Sequence, residues 1–240
     1  MKLKKYIERL CKQAFGRKIY FDDKLSNAAL FRLLLEMAIN LFRGVLKTSL
    51  SLKSQLIFIG KGSLLVNVNG MELGKGIRIG KGCALISQSK QDLCIGSQVS
   101  IGDYSKLVVS TSVNSVGEGI EIGESVGIGE FSYIGGGGGV VIGRDTIIGQ
   151  YFSVHPENHK FSDRDTLIRF QGTTRKGVSI GKNCWVGAKV TICDGVSIGN
   201  NCVVAAGSVV TKDFASNCII GGVPAKVLKK TVPEEVNHFQ

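Results

Sequence analysis

Two of the chain's three histidines, His155 and His159, stand four residues apart in the stretch SVHPENHKFSDRDTLIRFQG, residues 153–172. Histidine changes charge near neutral pH, so an imidazole can take the proton of a hydroxyl or an amine as that group attacks. The plainer reading is a pair of solvent-facing loop histidines. Two of them within five residues, in the longest interruption of an otherwise regular chain, favour chemistry. His238 lies in the tail behind a Pro-Glu-Glu run and has no role assigned to it. No histidine occurs in residues 1–154, so a three-histidine zinc site built from separated segments is not expected. The seven cysteines are odd in number and form no Cys-x-x-Cys pair. They are expected to be small reduced thiols of the interior, without a disulfide framework or a structural metal.

The surrounding chain must hold these side chains still, and it does so by repetition. An aliphatic residue, usually followed by Gly, recurs every six positions: Ile180, Val186, Ile192, Ile198, Val204, Val210. Four residues after each comes a small or modest side chain, as in Cys184, Val190, Val196, Cys202 and Ser208. Six residues fit one short strand and a tight corner, and three such sides make a coil that stacks on its neighbours with the aliphatics inward. Upstream the aliphatics fall in threes: Leu73, Ile79, Leu85; Ile95, Ile101, Leu107; Ile122, Ile128, Ile134; Ile142, Ile148, Val154. The spacing is six within each group and 10, 15, 8 and 26 between successive groups. Insertions follow only every third side, so in a three-sided prism all leave from one corner, the histidine stretch among them. The open ends of such a prism need caps. The N-terminal segment and the CIIGGVPAKVLKK tail are the candidates.

Residues 26–47 read as a helix, capped by Ser26 or Asn27 and interrupted near its end by Gly44, with Arg32, Glu36, Asn40 and Arg43 as one polar stripe. Three charges argue against a membrane span, leaving a helix packed over the prism end or lying at a membrane surface. Residues 1–54 carry twelve Lys and Arg against four Asp and Glu, so +8 of the net +11 sits there. That balance suits an anionic surface, with Lys2, Lys4, Lys5, Arg9 and Lys12 as the groups to meet it. No aromatic-basic motif accompanies it, so nucleic acid is not expected. MKLKKYIERLCKQAFGRK has no apolar secretory core, which points to the cytoplasm or the inner face of its membrane. With Pro at only 3 and 43% hydrophobic residues, the chain should be ordered. The expected organisation is a basic helical segment 1–54, a β-prism 55–222 with an active-site loop 155–176, and a cap and tail 223–240.

Residues 59–230 resemble the hexapeptide-repeat acyltransferases, above all in VSIGKNCWVGAKVTICDGVSIGNNCVVAAGSVVTKD followed by GGVPAKVLKK. The resemblance is to the polysaccharide and lipopolysaccharide O-acetyltransferase branch, near the galactoside and maltose enzymes. In that branch the long loop reads Asn-His-x-Phe, an Asp, then Ile-x-x-Gln-Gly. Here Asn158, His159, Phe161, Asp163, Ile168, Gln171 and Gly172 match. The chain departs in having Leu167 where a Pro commonly precedes that Ile, and FASN after TKD where Pro is usual.

The resemblance implies a mainly β fold, a left-handed parallel β-helix, that transfers an acetyl group from acetyl-CoA to a sugar hydroxyl of a surface polysaccharide, lipopolysaccharide or lipid-linked glycan. It implies a loop histidine as general base, with His159 preferred on the Asn-His-x-Phe frame and His155, in VHPENH, as runner-up. By the same resemblance a backbone N–H near Gly187 or Ala188 meets the oxyanion. Trp185 flanks the pantetheine arm, and Ala206, Thr211, Lys212, Lys226 and Lys229 contact the coenzyme. Asn158 serves the substrate, and no metal is involved. A homotrimer with coenzyme sites between adjacent prisms follows too. The main competitor is an N-acyltransferase acting on an amino-sugar nucleotide. A γ-class carbonic anhydrase lacks its histidines here, and a serine O-acetyltransferase lacks its long helical domain and Asp-Arg-His loop. A non-catalytic scaffold leaves the conjunction of His159, Trp185 and three lysines unexplained.

Overall fold

The computed structural model describes residues 4–9, 20–48, 56–110 and 116–231. From Ile57 the chain winds as a three-sided prism whose faces are sheets of nine, seven and six strands, parallel except for the last strand of the first. The first face starts at Ile57–Ile59, the second at Leu64–Val66, the third at Met71–Leu73. Each coil pairs in register with the next, for example Ile147 with Trp185 and Trp185 with Val203 on the first face. The period of six follows from this geometry. Each side offers one inward aliphatic, and Val186, Ile192, Ile198, Val204 and Val210 all lie at or below 2% exposure. The intermediate positions Cys184, Val190, Val196, Cys202 and Ser208 are buried as well.

Where a glycine follows the aliphatic, stacking requires it. At Gly187 a Cβ would come within 2.6 Å of the backbone N of Ala206 on the next coil. The next corner residues adopt positive φ, and three of them are aromatic: Tyr104, Phe131 and Tyr151, at 59°, 56° and 58°. Their rings stack at 5.4 and 5.2 Å, so the ring contacts offset the roughly 1 kcal/mol each backbone costs in this region. Lys189, at φ 57°, continues the same column.

All long connections leave where the second face hands over to the third: between Ile86 and Leu93, Val108 and Ile120, Gly135 and Val140, and His155 and Val178. The single-corner arrangement expected from the spacing is therefore observed. Six cysteines among the described residues are free thiols, four of them buried.

Helix α1, Asn27–Thr48, covers the first coil. Ser26 Oγ accepts the Ala29 N–H at 3.1 Å, so Ser26 is the cap. Gly44 does not interrupt the helix. It lets the helix settle on the edge strand Ile57–Ile59, where a Cβ would lie 1.8 Å from the Ile57 carbonyl oxygen. Gly44→Ala is accordingly expected to destabilise the fold by about 1–3 kcal/mol, seen as a lower urea midpoint at fixed protein concentration. An unchanged midpoint would show that the helix does not dock there. At the far end, strand Cys218–Gly222 turns back on Ala225–Lys230 in an antiparallel pair and closes the first sheet.

Candidate active site

The stretch holding the two histidines folds as an arm. Its base is a two-stranded antiparallel pair in which Asn158 faces Thr174 and His159 faces Thr173. Asp194, on the next coil, clamps both strands of this base. Its Oδ1 accepts the N–H groups of Lys176 and Gly177 at 2.8 and 3.1 Å, and its Oδ2 accepts the Asn158 amide at 3.4 Å. Gln171 pins the tip, donating to the carbonyls of Asp163 and Thr166 at 2.7 and 2.6 Å and accepting the Asp163 N–H at 3.1 Å. The Asp163 carboxylate is engaged too: the Thr166 side chain and the Asp165 N–H hold its pKa below the ordinary value. Gly172 supplies the turn at φ 78°. Most of the recognisable loop motif thus builds the arm. Asn158 belongs to it through the contact of its amide with Asp194.

His155 ends strand Ser153–His155 of the second face, and its ring stacks on Tyr133 at 5.6 Å. His155 and His159 are both exposed, and both line one cleft of about 630 Å³ with Tyr133, Glu157, Arg169 and Arg175. Arg175 bonds Glu157 at 3.0 Å and the Val116 carbonyl at 3.0 Å, which closes one wall. Arg169 lies 5.3 Å from the Phe170 ring. Neither imidazole hydrogen-bonds another described residue, so both are open to a ligand.

Tyr133, Asp194, Arg169 and Arg175 escaped the sequence reading. Tyr133 was foreseeable in principle, since it occupies an outward position one coil below Ser153. The others depend on how the arm folds, which the six-residue period does not encode.

The remaining predicted residues lie elsewhere. Trp185 projects from the first face, 60% exposed. Gly187 and Ala188 form the corner from the first face to the second, the opposite edge of the second face from the histidines. The Gly187 N–H is consumed by the coil stacking, donating to Val204 O at 2.8 Å. The Ala188 N–H donates to no described residue, so of the two only Ala188 can meet an oxyanion. Ala206 repeats that corner one coil on, with Ala205 donating to Ile220 O. Thr211 and Lys212 follow strand Val209–Val210 at the histidine edge, and Lys212 Nζ sits 5.9 Å from the Phe214 ring. Lys226 and Lys229 are exposed on the last strand of the first face, opposite Gly221 and Ile219. One chain therefore joins the two histidines and separates them from Ala188, Trp185 and the terminal lysines.

A second groove, of about 410 Å³, runs along the third face past Cys94 and Glu121. Burial, with the Glu72 and Asp92 carboxylates beside it, pushes the Cys94 thiol up to about 11, so it is no nucleophile near neutral pH. No group of His, Cys, Asp and Glu side chains among the described residues is arranged to hold a metal.

Comparison with known proteins decides the family. A model described as "Hexapeptide repeat of succinyl-transferase" matches residues 177–212. WbbJ of Escherichia coli (strain K12), named as an O-acetyl transferase of lipopolysaccharide biosynthesis, is 33% identical over 140 residues, 55% of this chain and 71% of that protein. The chain belongs to the hexapeptide-repeat acyltransferases. A second relative, the galactoside O-acetyltransferase of the same strain, is 30% identical over 85 residues, 35% of this chain and 39% of that enzyme. Among solved structures, AntD, an N-acyltransferase from Bacillus cereus in complex with dTDP and 3-hydroxybutyryl-CoA, superposes at TM-score 0.52 with 22% identity, over 79% of this chain and 88% of that one. That likeness speaks for the fold alone. The prism is the left-handed parallel β-helix of this acyltransferase family.

Proposed function

We propose that this acyltransferase moves an acetyl group from acetyl-CoA to a hydroxyl of a sugar in a polysaccharide, a lipopolysaccharide or a lipid-linked glycan. The observation that carries the reading is the cleft: His159 on a braced arm and His155 on the second face line it together, neither imidazole hydrogen-bonded to a described residue, and the opposite corner of that face leaves the Ala188 N–H free. The names of the relatives favour a hydroxyl over an amine as the acceptor.

In this mechanism His159 takes the proton of the acceptor hydroxyl as its oxygen attacks the thioester carbonyl. The carbonyl electrons move onto oxygen, which the Ala188 N–H receives. Collapse of the tetrahedral intermediate breaks the C–S bond, and coenzyme A leaves as the thiol with the proton that His159 returns. His155, fixed against Tyr133, shapes the cleft wall. The Asn158 amide serves the site through the arm. Trp185 borders the pantetheine, Ala206 and Thr211 follow it along the prism, and Lys212, Lys226 and Lys229 face the phosphates as point charges.

A site so divided needs a second copy. The histidine edge of one prism must face the Ala188 edge of another, and cyclic assembly of three copies repeats that contact three times. The working unit in this reading is a homotrimer.

Thiol release from acetyl-CoA, measured against free sugars, sugar nucleotides and lipid-linked glycans, tests the proposal. Turnover with a hydroxyl acceptor supports it. Turnover confined to an amino-sugar nucleotide replaces it with N-acylation. Lys212→Ala is expected to raise KM for acetyl-CoA roughly tenfold with kcat nearly intact, because the lost contact is made equally in ground and transition states. A fall in kcat at unchanged KM would move Lys212 from coenzyme binding to the chemistry.

A further inference from the structure

Helix α1 carries two apolar faces, and the prism uses only one. Gly44 is buried against the edge strand Ile57–Ile59, and Leu30 and Thr48 are buried too. On the other side Phe31, Leu35, Ile39, Phe42, Val45 and Leu46 follow the i, i+4, i+8, i+11, i+14 and i+15 spacing of a single helical stripe, and each is 42–68% exposed. Isolated exposed hydrophobics are ordinary. A continuous row of six on one surface helix marks a surface that meets something.

The rim of the stripe is cationic. Arg32 is exposed, Arg43 is held by Asn40 at 2.6 Å, and Lys47 reaches the Ser63 carbonyl at 3.0 Å. Glu36, the helix's single acidic residue, is neutralised by Lys81 at 3.1 Å. Among the described residues of this segment, seven basic side chains (Lys4, Lys5, Arg9, Lys24, Arg32, Arg43 and Lys47) stand against four acidic ones.

We propose that this outer face of α1 lies on an anionic lipid bilayer. Its apolar stripe enters the boundary between headgroups and acyl chains, and the exposed Arg32 turns to the lipid phosphates. No helix among the described residues is long and apolar enough to cross a membrane, so α1 lies along the surface. Charge decides between lipid and a second copy of the chain. A two-fold contact through this face would set one net-positive surface against another, whereas an anionic bilayer complements the apolar stripe and its cations together.

The structure also sorts the cations. Lys4 is buried and donates to the carbonyls of Asp22 and Asp23 at 2.8 and 2.9 Å, so its removal would perturb the fold rather than a binding surface. Lys2 and Lys12 lie outside the described residues. Phe31 and Phe42 are therefore the residues to change.

The test is co-sedimentation of the full chain with vesicles of phosphatidylglycerol mixed with phosphatidylcholine, and with vesicles of phosphatidylcholine alone. The wild type should bind the anionic vesicles, bind the neutral ones less, and detach as salt rises. Phe31→Asp combined with Phe42→Asp should lower the partition at least about tenfold. Acyl transfer to a soluble acceptor should not change, since neither residue lines the cleft. Wild-type protein that ignores anionic vesicles overturns the proposal, as does binding indifferent to the double substitution. A double variant whose subunit count in light scattering falls, with no vesicle binding by the wild type, assigns the face to a second copy instead.

Discussion

His159→Ala is expected to lower kcat by about 10²–10⁴ while KM for acetyl-CoA barely moves. In the proposed mechanism the imidazole meets the acceptor hydroxyl and the lysines meet the coenzyme phosphates, so the two parameters should part. His155→Ala should cost little, because that ring is stacked on Tyr133 and acts as a wall. Steady-state kinetics with saturating acceptor decides the matter. Loss of activity in His155→Ala with His159→Ala intact would hand the base to His155. Two active single variants would remove the arm from the chemistry altogether. The braced geometry makes the experiment clean. His159 pairs through its backbone with Thr173 and is exposed, so truncating its ring leaves the hydrogen bonds of the arm in place.

The largest effect after that concerns how the site is divided. His159→Ala and Ala188→Pro should each be nearly inactive alone. Lys189 has φ 57°, which makes Ala188 the second residue of a turn that accepts proline there, so the substitution removes the N–H and spares the corner. Co-expressed with different tags and purified through both, the two variants give mixed trimers. In any such ring one interface of the three sets an intact His159 against an intact Ala188. About a third of wild-type activity should return. If both groups acted from the same chain, every chain would carry one defect and the mixed trimers would stay inactive. That result would overturn the shared site. Should Ala188→Pro fail to assemble, Trp185→Arg, at an exposed first-face position, serves as the partner variant.

The prism was legible in the residue order because its rule is local. One inward aliphatic per side, three sides per coil, and bulges tolerated only where the chain can leave without breaking the stack are all one-dimensional constraints. Hence Val154 and Ile180, 26 residues apart, could be placed on successive faces before any coordinates, and the histidines between them assigned to a corner. The helix was legible for a similar reason, in Ser26 and the polar stripe from Arg32. Gly44 was misread as a break, because a glycine in a helical pattern looks the same whether it ends the helix or admits a neighbouring backbone. Only the Ile57 carbonyl beneath it distinguishes the two.

What tertiary structure alone decided is which atoms are free. The sequence allowed Gly187 or Ala188 as oxyanion donor. The stacking of coils spends the first N–H on Val204 and leaves the second, since a ladder bond depends on the residue lying one coil away rather than on the type of residue that donates it. Nor did the sequence show that the arm brings the Asn158 amide to Asp194, 36 residues ahead. Helix α1 read as an element with one polar stripe, and the tertiary structure showed which of its apolar residues stay exposed, Phe31 and Phe42 among them. Periodicity tells a chain which way each side chain faces. It cannot say what is already satisfied once the coils close, and function resides in what is left unsatisfied.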